Sequence, residues 1–207
     1  HANGIDYWVI TKKHAYNLLY AYLVTCKGVN PVPVISPITS WPYTPEQVFM
    51  DSTRKEGTNA GAGYLVASHS GKILINCYDA GGNYIEFDNA TGKIISDRTE
   101  ATGYGAAFSP NDSVIYYSGD GAVLEGPDHK LYTPYIFGTR ITVINNPNSK
   151  TDPQYSTIEL TKGITSMGLP NVFMTYFNDP PFKADFEFTA ACAGSKSQFI
   201  DKSSNNP

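Results

Sequence analysis

The four histidines of the chain lie far apart and form no recognisable catalytic or metal-binding motif. The sequence has no H-E-x-x-H pair for zinc and no G-x-S-x-G turn for a nucleophilic serine. His69 and His129 fall in predicted turns, His14 in a polar break between two predicted strands, and His1 at the first position. We interpret the histidines as solvated turn residues, and we predict no catalytic residue, no metal ligand and no cofactor.

The acidic side chains leave two alternatives open. A glycosidase needs two carboxyl groups about 5 to 10 Å apart, and the sequence does not bring Asp79, Glu86, Asp88 or Asp120 together. Residues 88–92 could place oxygen ligands around calcium, although consecutive turn-forming residues explain this segment without an ion. We prefer a plain turn at 88–92, and a polysaccharide hydrolase stays an alternative.

The three cysteines are widely separated, and no C-x-x-C pair supports a zinc or redox motif. Cys26 and Cys77 lie in apolar, strand-like segments, so we predict that both are buried free thiols. Cys192 lies in a C-terminal stretch with a different sequence pattern.

Aromatic residues give the one positive indication of binding, because they make up 13% of the chain. Trp41 and Tyr43 lie in a predicted long loop, while Tyr132, Tyr135 and Phe137 crowd one predicted hairpin. Rigid aromatic side chains supply contact area at low entropic cost. We predict these five as exposed ligand contacts, for another protein or a surface glycan. The alternative is that they fill the space between sheets.

Charge and hydropathy exclude two classes of partner. The net charge is −4 and no basic patch is present, so nucleic acid is not an expected partner. No apolar run approaches the ~20 residues that span a bilayer, so no membrane span is expected. The first residues show no signal peptide, and we expect the chain to be either a mature fragment or part of something longer.

The elements that would position these residues are predicted strands. Apolar segments at 5–11, 18–25 and 32–36 are separated by polar or turn residues, and 40–62 is a predicted loop. Residues 63–95 then contain four further short strands, enough for one four-stranded antiparallel sheet. The sequence therefore predicts an all-β protein.

Three turns follow one sequence template, at 68–75, 109–116 and 126–133. Each begins with Ser or Gly, continues with turn-forming residues and ends in an apolar strand. Ser68 and Ser109 are 41 residues apart, a normal period for a four-stranded repeat, but Ser109 and Gly126 are only 17 apart. Either this repeat is degenerate, or a stretch near residues 118–121 is missing from the sequence, and we favour the second explanation.

Seven segments lie in order over residues 1–177, at 1–4, 6–11, 20–25, 86–92, 105–110, 143–148 and 168–171. Together they resemble the β-propeller regions of large surface proteins of gliding bacteria, which the type IX secretion system exports. The resemblance implies a partial propeller of about four blades, each a four-stranded antiparallel sheet. Residues 178–207 resemble a linker and the first strands of an immunoglobulin-like module of the PKD type, in which a cysteine at the place of Cys192 often pairs with a later one.

This resemblance implies a non-catalytic segment of a large exported protein, acting at the cell surface as an adhesin or as a structural scaffold. Two alternatives remain. One is a subunit of a secretion or gliding-motility assembly, held in place by other subunits. The other is the propeller-type polysaccharide hydrolase already named.

Overall fold

A computed structural model describes residues 1–13, 16–43, 63–78, 81–100, 102–119, 121–169, 186–189 and 194–202. In these ranges the chain forms sixteen strands in five antiparallel sheets, which we name A to E, and it has no helix. The all-β prediction is therefore confirmed. The described residues accordingly include no helix with the length and apolar character needed to cross a membrane.

Sheet A is built around one long central strand. Strand β2 pairs along one side with β1 and along the other side with β3 and then β4. Pro31 and Pro33 separate β3 from β4, because a proline has no N–H to donate to the neighbouring strand. The strands are β1 (Tyr7–Lys12), β2 (Leu18–Thr25), β3 (Gly28–Val29) and β4 (Val34–Pro37).

Sheets B and D are four-stranded meanders in which each strand pairs with the next. Sheet B contains β5 (Leu65–Ala67), β6 (Ile73–Tyr78), β7 (Gly81–Asp88) and β8 (Lys93–Glu100). Sheet D contains β11 (Leu124–Glu125), β12 (Leu131–Pro134), β13 (Arg140–Ile144) and β14 (Tyr155–Glu159).

Sheet C has only two strands, β9 (Gly105–Phe108) and β10 (Ile115–Ser118), before the chain continues into sheet D. This half-sized sheet matches the short spacing between the second and third template turns. Sheet E pairs β15 (Phe186–Phe188) with β16 (Phe199–Asp201).

Sheets A to D pack face to face in chain order. Alternate residues of β6 point to opposite faces of sheet B, as the strand period of two requires. Leu74 packs against Leu19 of sheet A, whereas Ile75 packs against Phe108 of sheet C. The central part of sheet B, around β6, is therefore covered on both faces.

Sheet C repeats this arrangement with small side chains. Ala106 faces the core shared with sheet B, and Ala107 faces the next core, where it packs with Leu131 and Ile144 of sheet D. Three apolar cores thus hold four successive sheets together.

The three template turns share a hydrogen bond and a backbone conformation. Each joins the first two strands of its sheet, and the fourth residue donates its N–H to the carbonyl of the first. That fourth residue is Gly71, Asp112 or His129, with φ of 65°, 58° and 60°. Glycine adopts this left-handed conformation freely and aspartate tolerates it, which agrees with the turn chemistry of the template.

The two described cysteine positions differ from each other. Cys77 is buried and free, as predicted. The prediction for Cys26 is wrong, because this residue is exposed and disulfide-bonded. Strand β2 ends at Thr25, so Cys26 lies in the following turn and its side chain leaves the apolar face. Cys192 lies outside the described residues.

Candidate functional site

Trp41 and Tyr43 lie against the core between sheets A and B. Trp41 is only 8% exposed, so its predicted exposure is wrong, and Tyr43 is partly buried. The ring centroid of Trp41 lies 5.0 Å from that of Tyr78 and 5.5 Å from that of Tyr43, both edge to face. These two aromatics therefore fill space between sheets, which is the alternative role considered above.

The segment before Trp41 explains why it is buried. Ile38 is fully buried and donates its N–H to the carbonyl of Asn17 at 2.7 Å. Thr39 and Ser40 then donate their N–H groups to the Asp97 carboxylate of sheet B. These contacts draw the segment that follows β4 across the edge of sheet B.

Lys12 lies on the other side of Trp41, with its Nζ 3.6 Å from the centroid of the indole ring. Burial lowers the pKa of Lys12 to about 8. The ring offers the ammonium group a favourable cation–π contact.

The hairpin between β12 and β13 exposes two of the other three predicted aromatics. Tyr135 is 62% exposed and Phe137 is 77% exposed. Tyr132 is partly buried, and its hydroxyl donates to the Asp128 carboxylate at 2.9 Å. Ile164 follows along the chain and is 67% exposed. We call Tyr135, Phe137 and Ile164 the aromatic tip.

The buried Thr165 fixes the backbone of the aromatic tip. Phe137 donates its N–H to the carbonyl of Thr165 at 3.0 Å, and Thr165 donates its own N–H to Gly138 at 2.7 Å. The Thr165 hydroxyl contacts the carbonyls of Tyr135 and Gly138. Phe137 has a φ of 55°, an uncommon conformation for a bulky side chain. The hydrogen bonds of Thr165 hold this strained residue in place.

A group of side chains that the sequence does not predict joins three sheets at the template turns. His69 Nδ1 lies 3.0 Å from Asp112 Oδ1, and His69 Nε2 lies 2.7 Å from Glu125 Oε2. His129 Nδ1 lies 2.8 Å from the other oxygen of Glu125. We call these four residues the histidine–carboxylate cluster. Both histidines lie exposed in turns, as predicted, with His69 48% and His129 76% exposed. The sequence does not predict that His69 also contacts two carboxylates.

The surroundings of Asp112 keep its carboxylate ionised. Burial opposes the charge, but N–H groups of Ser70 and His69 each donate at 2.8 Å, and together with the imidazole they lower the pKa of Asp112. Burial alone would lower the pKa of His69, but the hydrogen bonds and charges of Asp112 and Glu125 outweigh it and raise that pKa.

The geometry of this cluster suits contacts that hold neighbouring sheets together better than it suits catalysis. Both ring nitrogens of His69 already face a carboxylate oxygen, so neither is free to take a proton from a nucleophile. In the described part of the chain, no group of His, Cys, Asp and Glu is arranged to hold a metal ion.

The acids considered for glycosidase and calcium chemistry have local partners. Glu86 accepts a hydrogen bond from Ser96 at 2.7 Å. Asp88 accepts from Ala90 N at 2.9 Å and from the Thr91 hydroxyl at 2.6 Å, as expected for a turn. Asp79 and Asp120 lie outside the described residues.

Comparison with known proteins gives no family assignment. No protein-family model matches the chain, and no curated protein matches it at a significant level.

Proposed function

We propose that this chain is a segment of a β-propeller in a large exported surface protein, where it acts as a non-catalytic scaffold. The aromatic tip is its contact surface for another protein or a surface glycan. The observation that carries this function is Phe137, a large exposed side chain on a strained backbone that Thr165 holds in one conformation.

The packing of sheets A to D supports the propeller. Propeller blades are small antiparallel sheets that pack face to face around a centre, each contacting the blades beside it. The first strands of sheets B, C and D, which are β5, β9 and β11, also lie next to one another. This is the arrangement expected of innermost strands.

The outer face of sheet A supports the presence of further blades. Residues on this face point away from sheet B, and Tyr7, Val9 and Ile35 are 70%, 49% and 53% exposed. A neighbouring blade would bury these side chains, each worth about 1.5–3 kcal/mol when fully removed from water. The same open face favours the second candidate, a subunit of a secretion or motility assembly that other subunits cover.

The disulfide at Cys26 supports export, because disulfides form and persist in oxidising compartments. The third candidate, a polysaccharide hydrolase, gains no support from Glu86 and Asp88, whose oxygens already bind neighbouring groups.

The test is binding to a glycan array and to the outer surface of intact bacterial cells. The purified chain is compared with a Tyr135→Ser, Phe137→Ser double variant, and Tyr155→Ser on β14, also 64% exposed, serves as the matched control. We expect the double variant to bind at least about tenfold more weakly, as for a contact hot spot. Equal binding of both variants, or no binding by the original chain, would contradict the contact role. Turnover of any glycan would contradict the non-catalytic assignment.

A further inference from the structure

The histidine–carboxylate cluster joins side chains from three sheets at one point. His69 comes from the β5–β6 turn of sheet B, Asp112 from the β9–β10 turn of sheet C, and Glu125 from β11 of sheet D. Asp112 and Glu125 lie 43 and 56 residues beyond His69 in the sequence. One imidazole ring therefore contacts carboxylates of two other sheets. It adds to the apolar cores and to other side-chain hydrogen bonds between sheets, such as the one from the Tyr116 hydroxyl of sheet C to the carbonyl of Pro147.

The geometry of this bridge fits a charged imidazolium better than a neutral ring. A neutral imidazole has one N–H donor and one acceptor nitrogen, whereas the protonated ring has two donors. Both nitrogens of His69 lie within 3.0 Å of carboxylate oxygens. In the neutral ring one carboxylate would face a nitrogen lone pair, so only the protonated form satisfies both contacts.

The surrounding charges favour the same form. Glu125 also contacts His129 Nδ1, and Asp112 also accepts two backbone N–H groups. The nearby Asp128 and Lys130 face each other at 3.4 Å, so they add little net charge. Two carboxylates then surround His69, and one of them, Glu125, is shared with the more exposed imidazole of His129.

We propose that His69 is a proton-dependent bridge, which strengthens the attachment of sheets B, C and D to one another at the template turns when it is protonated and weakens it when it is not. This inference is independent of the contact role of the aromatic tip. On this proposal, the stability of the contacts between sheets B, C and D at the template turns depends on pH.

The pH range of the bridge follows from the directions of the two pKa shifts. The pKa of His69 is raised above its ordinary 6.5, so its contribution is complete below 6.5 and is lost as the pH rises through the raised value. The pKa of Asp112 is lowered below its ordinary 3.8, so its contribution is complete above 3.8 and is lost as the pH falls through the lowered value. The bridge is therefore strongest between these two ordinary values.

The first measurement is an NMR titration of the histidine ring signals in the original chain and in Glu125→Gln. We expect His69 to titrate above 6.5 in the original chain and at a lower pH in the variant, because the variant removes one of its two carboxylates. A His69 that titrates at or below 6.5 in the original chain would overturn the proposal.

The second measurement is the thermal unfolding midpoint at about pH 6 and about pH 8.5, on either side of the imidazole transition. We expect the midpoint to fall between these values in the original chain and to fall less in His69→Gln. His129→Gln is the matched control and should keep most of the fall, because His129 joins only its own turn to β11 of the same sheet. An equal fall in His69→Gln would overturn the proposal. If that variant does not fold, the titration of Glu125→Gln decides.

Discussion

Asp97 on β8 accepts a hydrogen bond from the backbone N–H of Ser40 at 2.6 Å, and so attaches the end of sheet A to sheet B. The same carboxylate accepts the N–H and the hydroxyl of Thr39. A carboxylate of sheet B thus accepts the backbone N–H groups of the segment that follows sheet A.

We expect Asp97→Asn to lower the free energy of unfolding by about 1–3 kcal/mol, because it replaces charge-assisted hydrogen bonds with weaker ones. Burial opposes ionisation, but the bonds from Ser40 and Thr39 outweigh it and lower the pKa of Asp97. The difference should therefore be present above the ordinary carboxyl pKa of 3.8 and shrink as the pH falls through the lowered value. Urea unfolding at several pH values measures it. Asp152→Asn, in an exposed loop, is the control, and an equal loss there would contradict the prediction.

Ile85 on β7 tests the core between sheets A and B. The side chain is fully buried, so Ile85→Ala should lower the free energy of unfolding by about 2–5 kcal/mol through lost burial and a cavity. Ile95 on the neighbouring strand β8 is 67% exposed, and Ile95→Ala should change stability by less than about 0.5 kcal/mol. Chemical unfolding of the two variants gives the comparison. Similar losses at both positions would show that sheet A does not cover this face.

Phe137→Gly separates the strain at the aromatic tip from its contact role. Glycine adopts a φ of 55° without steric cost, so this variant should be as stable as the original chain or up to about 1 kcal/mol more stable. Phe137→Ala removes the ring but keeps the strain, and should gain nothing in stability. Both variants should lose ligand contact. Urea unfolding tests the stability difference, and a glycine variant less stable than the alanine variant would refute the strain.

Cys77 should be inert toward thiol reagents while the protein is folded. Burial raises the pKa of this thiol to about 11, and the reactive form is the thiolate. We expect no labelling of Cys77 by a maleimide near neutral pH, and complete labelling after unfolding in denaturant. Mass spectrometry of the labelled peptides distinguishes Cys77 from the other cysteines. Rapid labelling in the folded chain would mean that sheets B and C separate readily.

The strands and the template turns could be predicted because their signals are local. Apolar alternation and turn-forming residues act within a few positions, so the turns beginning at Ser68 and Ser109 are visible in the sequence. The buried position of Trp41 could not be predicted, because it depends on Asp97, which lies far along the chain. Residues in a proline-rich segment look exposed until such a partner is known.

The histidine–carboxylate cluster escaped prediction for a related reason. Each member is an ordinary residue of a turn or of a short strand, and its partners come from other sheets. The repeated turns were the only available signal, since equivalent turns in successive sheets must lie near one another. Cys26 shows a second limit of local patterns: the predicted strand 18–25 is correct, but Cys26 lies just beyond its end, in the turn, where its side chain is exposed.

The shortness of sheet C has a consequence for the side of sheet B that faces it. Strands β7 and β8 extend beyond the two strands of sheet C, and on this side they carry Glu86, Ser96 and Arg98, with Arg98 stacked 3.6 Å from the ring centroid of Tyr84. Polar side chains therefore occupy positions that a four-stranded neighbouring sheet would cover, and where apolar side chains would then be needed. A two-strand insertion after Ser118 would therefore need polar residues facing this region of sheet B.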